Sequence, residues 1–420
     1  MGKEIRHAKH WDAVLHGWRD PILHFPTIIQ KSGYKVVDNT GKSYLDLDSQ
    51  GLVDILGVPV PEAVQAIKNT AEQTPFVSAM YGDTQAEINY ADALLQQLGP
   101  GFSRIHFATS GSMAIEAATK IAKLVVDREL VVAFEASYHG ASHFALSCSG
   151  QKDLCTPFHI DLADPAPLPF PDCSSCATMS ISSASKPCVN DILSRLEEIG
   201  PSRVAAIVSE PYLSATCRVP CQQFWRVLKS YMEKHGILLI GDEVSTGFGR
   251  SGEFLGFNLW GVQPDLVVMG KGLSTGYAPI SAVILTDQVA ERMACEPFKN
   301  GTSFEGHAIG CAAASECLAF SKKADWLGEA RRKAKILEEA MRKIFGTPPT
   351  RMLNSIRVFG LIAILELVAQ DAERIKAQCR QRGIFVGGFH NYLRIAPGVF
   401  IDKGDLFHGL RILKEEVYTE

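Results

Sequence analysis

Two apolar runs constrain this chain more tightly than any other feature. Gly236-Ile-Leu-Leu-Ile-Gly-Asp242 and Leu266-Val-Val-Met-Gly-Lys271 each break off on an ionisable side chain. Short apolar runs bounded by glycine read as strands buried on both faces, the pattern of a parallel sheet covered by helices. Open sheets of that kind collect their chemistry at the carboxyl ends of the strands. A carboxylate and an amine delivered to such an edge are costly to bury unless they are paired or used. The plain structural alternative is a buried Asp242–Lys271 ion pair.

The flanking sequence supports alternation. Apolar spacing predicts strands over 105–108, 130–134, 204–208 and 280–285, and helices over 112–126, 189–199 and 222–235. Strands alternating with helices imply a mostly parallel sheet with helices on both faces. Beyond residue 305 the character changes. Long helices over 307–322 and 326–344 precede strands over 355–366 and 384–395, and a last helix begins at Asp405. The N-terminal part has an amphipathic start over 11–18 and a β-like stretch over 33–44, turning at Asn39-Thr-Gly-Lys42. The Pro- and Ser-rich stretch 156–187 reads as a long surface loop. At 420 residues, one large domain with a smaller companion is the natural division.

Composition narrows the partners. A net charge of −4 with 21% charged residues points away from nucleic acid. The start, Met1-Gly-Lys-Glu-Ile-Arg6, lacks the apolar core of a signal peptide, and Arg6 breaks the myristoylation pattern. No apolar stretch is long enough to span a bilayer. We expect a cytoplasmic protein with no membrane partner. The 11 cysteines are scattered, so free thiols are the expectation. Cys155, Cys173, Cys176 and Cys188 form a local group with one Cys-x-x-Cys, for which structural zinc is the alternative; Cys217 and Cys221 are a weaker pair. We expect no metal.

Six segments carry candidate chemistry. Thr109-Ser110-Gly111-Ser112 lies between a strand and a helix, where a capping serine and free N–H groups make either a plain cap or an anion site. Phe134-Glu-Ala-Ser-Tyr138-His139-Gly140 offers a ring that could stack on a planar cofactor or simply pack, and a loop histidine. Val208-Ser-Glu210-Pro-Tyr212 places Glu210 at a strand end, as a surface carboxylate or as a catalytic partner of the charges beside it. Asp242 and Lys271 suit pyridoxal phosphate (PLP): the lysine forms a Schiff base and the aspartate pairs with the protonated pyridine nitrogen. Arg394, in Asn391-Tyr-Leu-Arg-Ile-Ala-Pro397, is either a bidentate carboxylate binder or an interface salt bridge.

Taken in order, Ser110-Gly-Ser112, Tyr138-His-Gly140, Glu210-Pro211, Asp242-Glu-Val-Ser-Thr-Gly-Phe-Gly-Arg250, Gly270-Lys-Gly272 and Leu393-Arg-Ile-Ala-Pro397 resemble the class III (ω-aminotransferase-like) PLP enzymes of fold type I. The resemblance runs from about Gly33 to near the C-terminus. It implies an α/β fold with a large PLP-binding domain over 47–295, built on a mostly parallel central sheet. Residues 1–46 and 296–420 would supply a small α+β domain. Lys271 would carry the Schiff base and shuttle the substrate proton, with Asp242 on the ring nitrogen and Glu210 among the catalytic residues. Tyr138 and Val244 would sandwich the ring, His139 would belong to the cofactor site, and Ser110, Gly111 and Ser112 would hold the phosphate. In Gly301-Thr-Ser-Phe-Glu-Gly306, Ser303, with Thr302 beside it, would complete the phosphate site of a neighbouring subunit, implying a homodimer with shared active sites. Arg394 would take the substrate carboxylate, and Gln50, Tyr81 and Tyr212 would shape specificity.

Three departures from the family pattern stand out. Ala215 occupies the place of a glutamate that in many members neutralises the arginine between substrates, so a switch of that kind is not expected here. Met113 replaces an acidic residue, and Gly57-Val-Pro-Val-Pro61 replaces a histidine-containing loop. The chain is also similar to dialkylglycine decarboxylase, although that branch has tryptophan at the Tyr138 position and a Gly-Gln pair that is inverted here as Gln50-Gly51. The expected activity is amino-group transfer between an amino donor and an oxo acid or aldehyde, in ping-pong order. Decarboxylating transamination, racemisation or aminomutation, and a silent binding role are the alternatives.

Overall fold

The computed structural model describes residues 14–19, 23, 25–162, 165–171, 173, 187–294, 297–369 and 371–419. Three short strands open it: β1 (Ile28–Ser32), β2 (Lys35–Asp38) and β3 (Ser43–Asp46). The expected turn at 39–42 joins β2 to β3, and Asp38 Oδ1 accepts from the Thr40 and Lys42 N–H groups. Residues 11–13 of the amphipathic start, half of the 156–187 loop, Cys176 and the side chain of Cys188 lie outside the described residues.

Six strands build the central sheet: β4 (Phe102–Ala108), β5 (Leu130–Val132), β6 (Val204–Ser209), β7 (Leu238–Asp242), β8 (Leu266–Met269) and β9 (Ser281–Thr286), in the spatial order β4-β9-β8-β7-β6-β5. Strands β5 to β8 are mutually parallel, and β9 runs against both of its neighbours. Alternating side chains feed opposite cores, as the period of a strand requires. Ala206, Val208 and Ile240 pack under Ala114, Ile115, Ala118 and Ile121 of the Gly111–Val126 helix. Ile207 and Leu239 face Trp225, Leu228 and Met232 of the Phe224–His235 helix.

A second layer system follows. Strands β10 (Leu353–Phe359), β11 (Ile362–Leu367), β12 (Ile384–Phe385), β13 (Gly387–Phe389) and β14 (Tyr392–Ile395) pack with the Trp326–Phe345 and Lys403–Tyr418 helices. The stretch predicted as one strand over 355–366 is an antiparallel hairpin. Gly360 takes φ +56° at its tip, and a Cβ there would lie 2.4 Å from the Arg250 carbonyl oxygen. The predicted strand over 384–395 is likewise three strands; β12 leaves to pair in parallel with β3, tying the C-terminal part to the N-terminal strands.

Candidate active site

Register decides where the charges meet. Ser209, the last residue of β6, pairs with Gly241 of β7, and Asp242 pairs with Val268 of β8. Glu210, Asp242 and Lys271 therefore emerge at one edge, the carboxyl end of three adjacent parallel strands. Because β9 is reversed, its first residue, Ser281, reaches the same edge and donates to the Ser110 carbonyl oxygen at 2.8 Å.

Ser110 caps the Gly111–Val126 helix through Oγ, which accepts from the Met113 N–H at 3.3 Å. The helix N-terminus thus points into a cavity of about 290 Å³. The cavity is lined by Ser110, Gly111, Ser112, Tyr138, His139, Asp242, Val244 and Lys271, so eight of the expected cofactor residues come together in one place. Val53, Ser245 and Ser274, which sequence reading missed, line it too. Asp242 is fixed from two sides: its Oδ2 lies 2.6 Å from His139 Nδ1, and its Oδ1 accepts from the Val244 N–H at 3.0 Å. The carboxylate can only accept, so Nδ1 carries the proton. His139 Nε2 is buried and finds no partner among the described residues. Lys271 takes φ +37° between two glycines, and its Nζ donates to Ser245 Oγ at 2.6 Å.

The electrostatics weaken the hold of the Lys271 amine on its proton. Burial pushes the Lys271 pKa down, and the Arg394 guanidinium adds to this, with Asp242 and Glu210 opposing. Glu210 is pushed up, first by burial and then by the like charge of Asp242; its Oε1 accepts the Ser214 N–H at 3.3 Å. Glu243, which points away from the cavity, is pushed up to about 7 by burial, although Thr246 Oγ1 at 2.6 Å and the Phe257 N–H at 2.9 Å donate to it. A raised carboxyl pKa contributes stability below its unfolded value, and that stability is lost as pH rises through about 7. Glu243→Gln is therefore expected to remove about 3 kcal/mol of the fall in unfolding free energy between pH 5 and pH 8. Denaturant melts of both proteins across that range check it; parallel pH profiles would contradict it.

The remaining expected residues are placed elsewhere. Arg394, on β14, is held by Asp48, with Nε to Oδ1 at 2.7 Å and Nη2 to Oδ2 at 2.9 Å. Gln50 donates from Nε2 to Asp46 Oδ2 at 3.0 Å. Tyr212 is fully buried in the core with its ring against Phe359, 4.7 Å between centroids. Tyr81 is 87% exposed and Ser303 is exposed, both away from this cavity within one chain. Thr302 Oγ1 is buried with no partner among the described residues. Those residues also contain no group of His, Cys, Asp or Glu able to hold a metal, and no helix long and apolar enough to cross a membrane.

The cavity fits PLP on its own chemistry: a desolvated amine, an anchored carboxylate, and a capped helix end whose first-turn N–H groups suit an anion. A mixed sheet with these groups at its carboxyl edge defines a PLP-dependent enzyme of fold type I. The family model described as aminotransferase class-III matches residues 18–417, and the chain belongs to that family. It is 31% identical over 356 residues to an acetylornithine aminotransferase of Methanopyrus kandleri, covering 84% of this chain and 83% of the relative. A diaminobutyrate–2-oxoglutarate transaminase of Halomonas elongata is 29% identical over 360 residues, 81% of this chain and 76% of that one. Among solved structures, a taurine:2-oxoglutarate aminotransferase from Bifidobacterium kashiwanohense, in complex with PLP and glutamate, superposes with a TM-score of 0.87 at 24% identity, covering 96% of this chain and 95% of that one. The protein is a PLP-dependent aminotransferase.

Proposed function

We propose that the cavity performs both half-reactions of a ping-pong transamination, with Lys271 as the proton carrier. The observation that carries this is the buried Lys271 amine, whose proton affinity is lowered at the same edge as the His139-anchored Asp242. PLP supplies a carbonyl that condenses with amines and a ring that accepts the electrons released when the neighbouring C–H bond breaks. Lys271 Nζ, whose hold on a proton is weakened by burial, would take the proton from the amine-bearing carbon and pass it to the carbon that was the PLP carbonyl. Ser245 Oγ orients that amine. Asp242 would face the ring nitrogen, and the His139 and Val244 N–H groups hold its side chain in place. Ser110, Gly111 and Ser112 hold the phosphate on the helix end. Tyr138 and Val244 flank the ring, and Glu210 stands behind Asp242 as a further carboxyl of the site.

The relatives named for diaminobutyrate and acetylornithine support a donor whose reacting amine lies at the ω end of an acidic molecule, with a 2-oxo acid as acceptor. Arg394 is the cation for that carboxylate, and Gln50, Tyr81 and Tyr212 shape its surroundings directly or through packing. The partnerless Thr302 hydroxyl supports a shared site, in which Thr302 and Ser303 of a second copy close the phosphate pocket. A large domain over 47–295 and a small one from 1–46 and 296–420 belong to the same reading, supported by the parallel pairing of β12 with β3, which joins the two ends of the chain. Buried free thiols such as Cys148, Cys311 and Cys317 fit a reducing, cytoplasmic location.

Mixing the PLP-loaded protein with a panel of ω-amino acids, without acceptor, tests this reading. The cofactor absorbance is expected to convert with at least one donor and to return on adding a 2-oxo acid, and the protein is expected to sediment as a dimer. A band that no donor converts, or a fully active monomer, would contradict it.

A further inference from the structure

We propose that Asp48 is a built-in competitor carboxylate: it occupies Arg394 until a carboxylate-bearing substrate displaces it, and so sets the discrimination between acidic and uncharged substrates. The inference rests on the transaminase reading of the same site. Arg394 does not stand open. Both of its outward nitrogens are engaged, Nε with Oδ1 at 2.7 Å and Nη2 with Oδ2 at 2.9 Å, the side-on geometry in which a guanidinium binds any carboxylate. The two side chains are 15% and 10% exposed, so the pair is shielded but reachable.

The surroundings are shaped to this pair. Gly387 lies opposite Arg394 in the β13–β14 register, and a Cβ on Gly387 would fall 2.3 Å from Asp48 Oδ2. Only glycine there leaves room for the carboxylate to lie against Arg394. Asp48 also begins an unusual stretch of backbone. Ser49, Gln50, Gly51 and Leu52 take φ of +49°, +50°, +74° and +70°, a left-handed turn in which three of the four residues are not glycine. Such backbone is unfavourable and persists only where its surroundings hold it. Here Ser49 Oγ donates to the Ala396 carbonyl oxygen at 2.6 Å and Gln50 donates to Asp46. The next residue, Val53, lines the cofactor cavity. The turn thus carries the chain from the Arg394 clamp to the reacting amine.

The backbone of Asp48 is tied down, its N–H donating to Asp46 Oδ1 at 3.0 Å, whereas its carboxylate is held by Arg394. Rotation about its side-chain bonds is enough to release the arginine. An incoming carboxylate replaces one charge-assisted pair by an equivalent one, so its apparent affinity is lowered by the fraction of molecules in which Arg394 is free. An uncharged amine leaves the pair closed and meets no such penalty. Asp48 thereby does from the N-terminal side what Ala215 cannot do from the Glu210 loop.

The test uses the PLP-loaded enzyme and glutarate, a dicarboxylate with no amine or oxo group, titrated calorimetrically. Asp48→Asn is expected to tighten glutarate about tenfold, and to raise by a similar factor the ratio of kcat/KM for an acidic over an uncharged donor. Gly387→Ala, whose methyl group takes the Asp48 seat while keeping every charge, is expected to shift both quantities in the same direction. If neither folded variant tightens glutarate, or both weaken it, Asp48 is a structural clamp and the proposal falls. Glutarate binding requires no turnover, so that failure is distinct from a failure of the transaminase reading, which the donor-driven absorbance change reports.

Discussion

Lys271→Ala is expected to lower kcat by at least about 10⁴-fold. The side chain does two things at once. Its amine is desolvated, with its proton affinity reduced by burial and by Arg394, so it gives up its proton more readily than a free lysine. It is also aimed, since Ser245 Oγ accepts from it at 2.6 Å. Alanine would remove both the proposed covalent attachment and the proposed proton carrier, and the hydroxyl of Ser245 is too weak a base to substitute. The capped helix end and Asp242 are untouched, so the variant is expected to retain PLP non-covalently. Single-turnover rates with an active donor check this; a variant keeping more than about a hundredth of wild-type turnover would remove Lys271 from the proton path.

Asp242→Asn is expected to cost about 10³-fold, chiefly in kcat. The substitution keeps the shape and one acceptor oxygen but removes the negative charge that, in the proposed reading, would keep a ring nitrogen protonated. The effect is large because the carboxylate is buried and preorganised: His139 Nδ1 at 2.6 Å and the Val244 N–H at 3.0 Å hold it before any ligand arrives. A loss confined to KM would mean that Asp242 only anchors the cofactor.

Much of this was legible before the fold. Buried strands that end on Asp242 and Lys271 announce themselves, because ionisable groups at the ends of apolar runs have few bland explanations. The helix cap at Ser110 and the carboxyl-edge clustering followed from strand–helix alternation. Asp48 did not. Its partner lies 346 residues away, and the clamp exists only because β14 and a left-handed turn place the two side chains together. Backbone that non-glycine residues avoid leaves no composition signal at Ser49 or Leu52. The hairpin of β10 and β11 was read as one strand because apolar residues continue on both sides of Gly360, and only the close approach of Arg250 reveals why the chain turns there. Tyr212 is expected to shape specificity, but its burial against Phe359 depends on that same hairpin. Glu243 was hidden for a different reason: adjacent residues of a strand end point opposite ways, so one carboxylate serves the cavity and the next serves the core.

The most direct test is to reduce the PLP-loaded protein with borohydride, digest it, and locate the cofactor by mass spectrometry. A phosphopyridoxyl group on the peptide containing Gly270-Lys271-Gly272, and on no other lysine, is the predicted result. Stable labelling at another lysine, or none despite bound PLP, would contradict the assignment of Lys271 and with it the reaction proposed for this site.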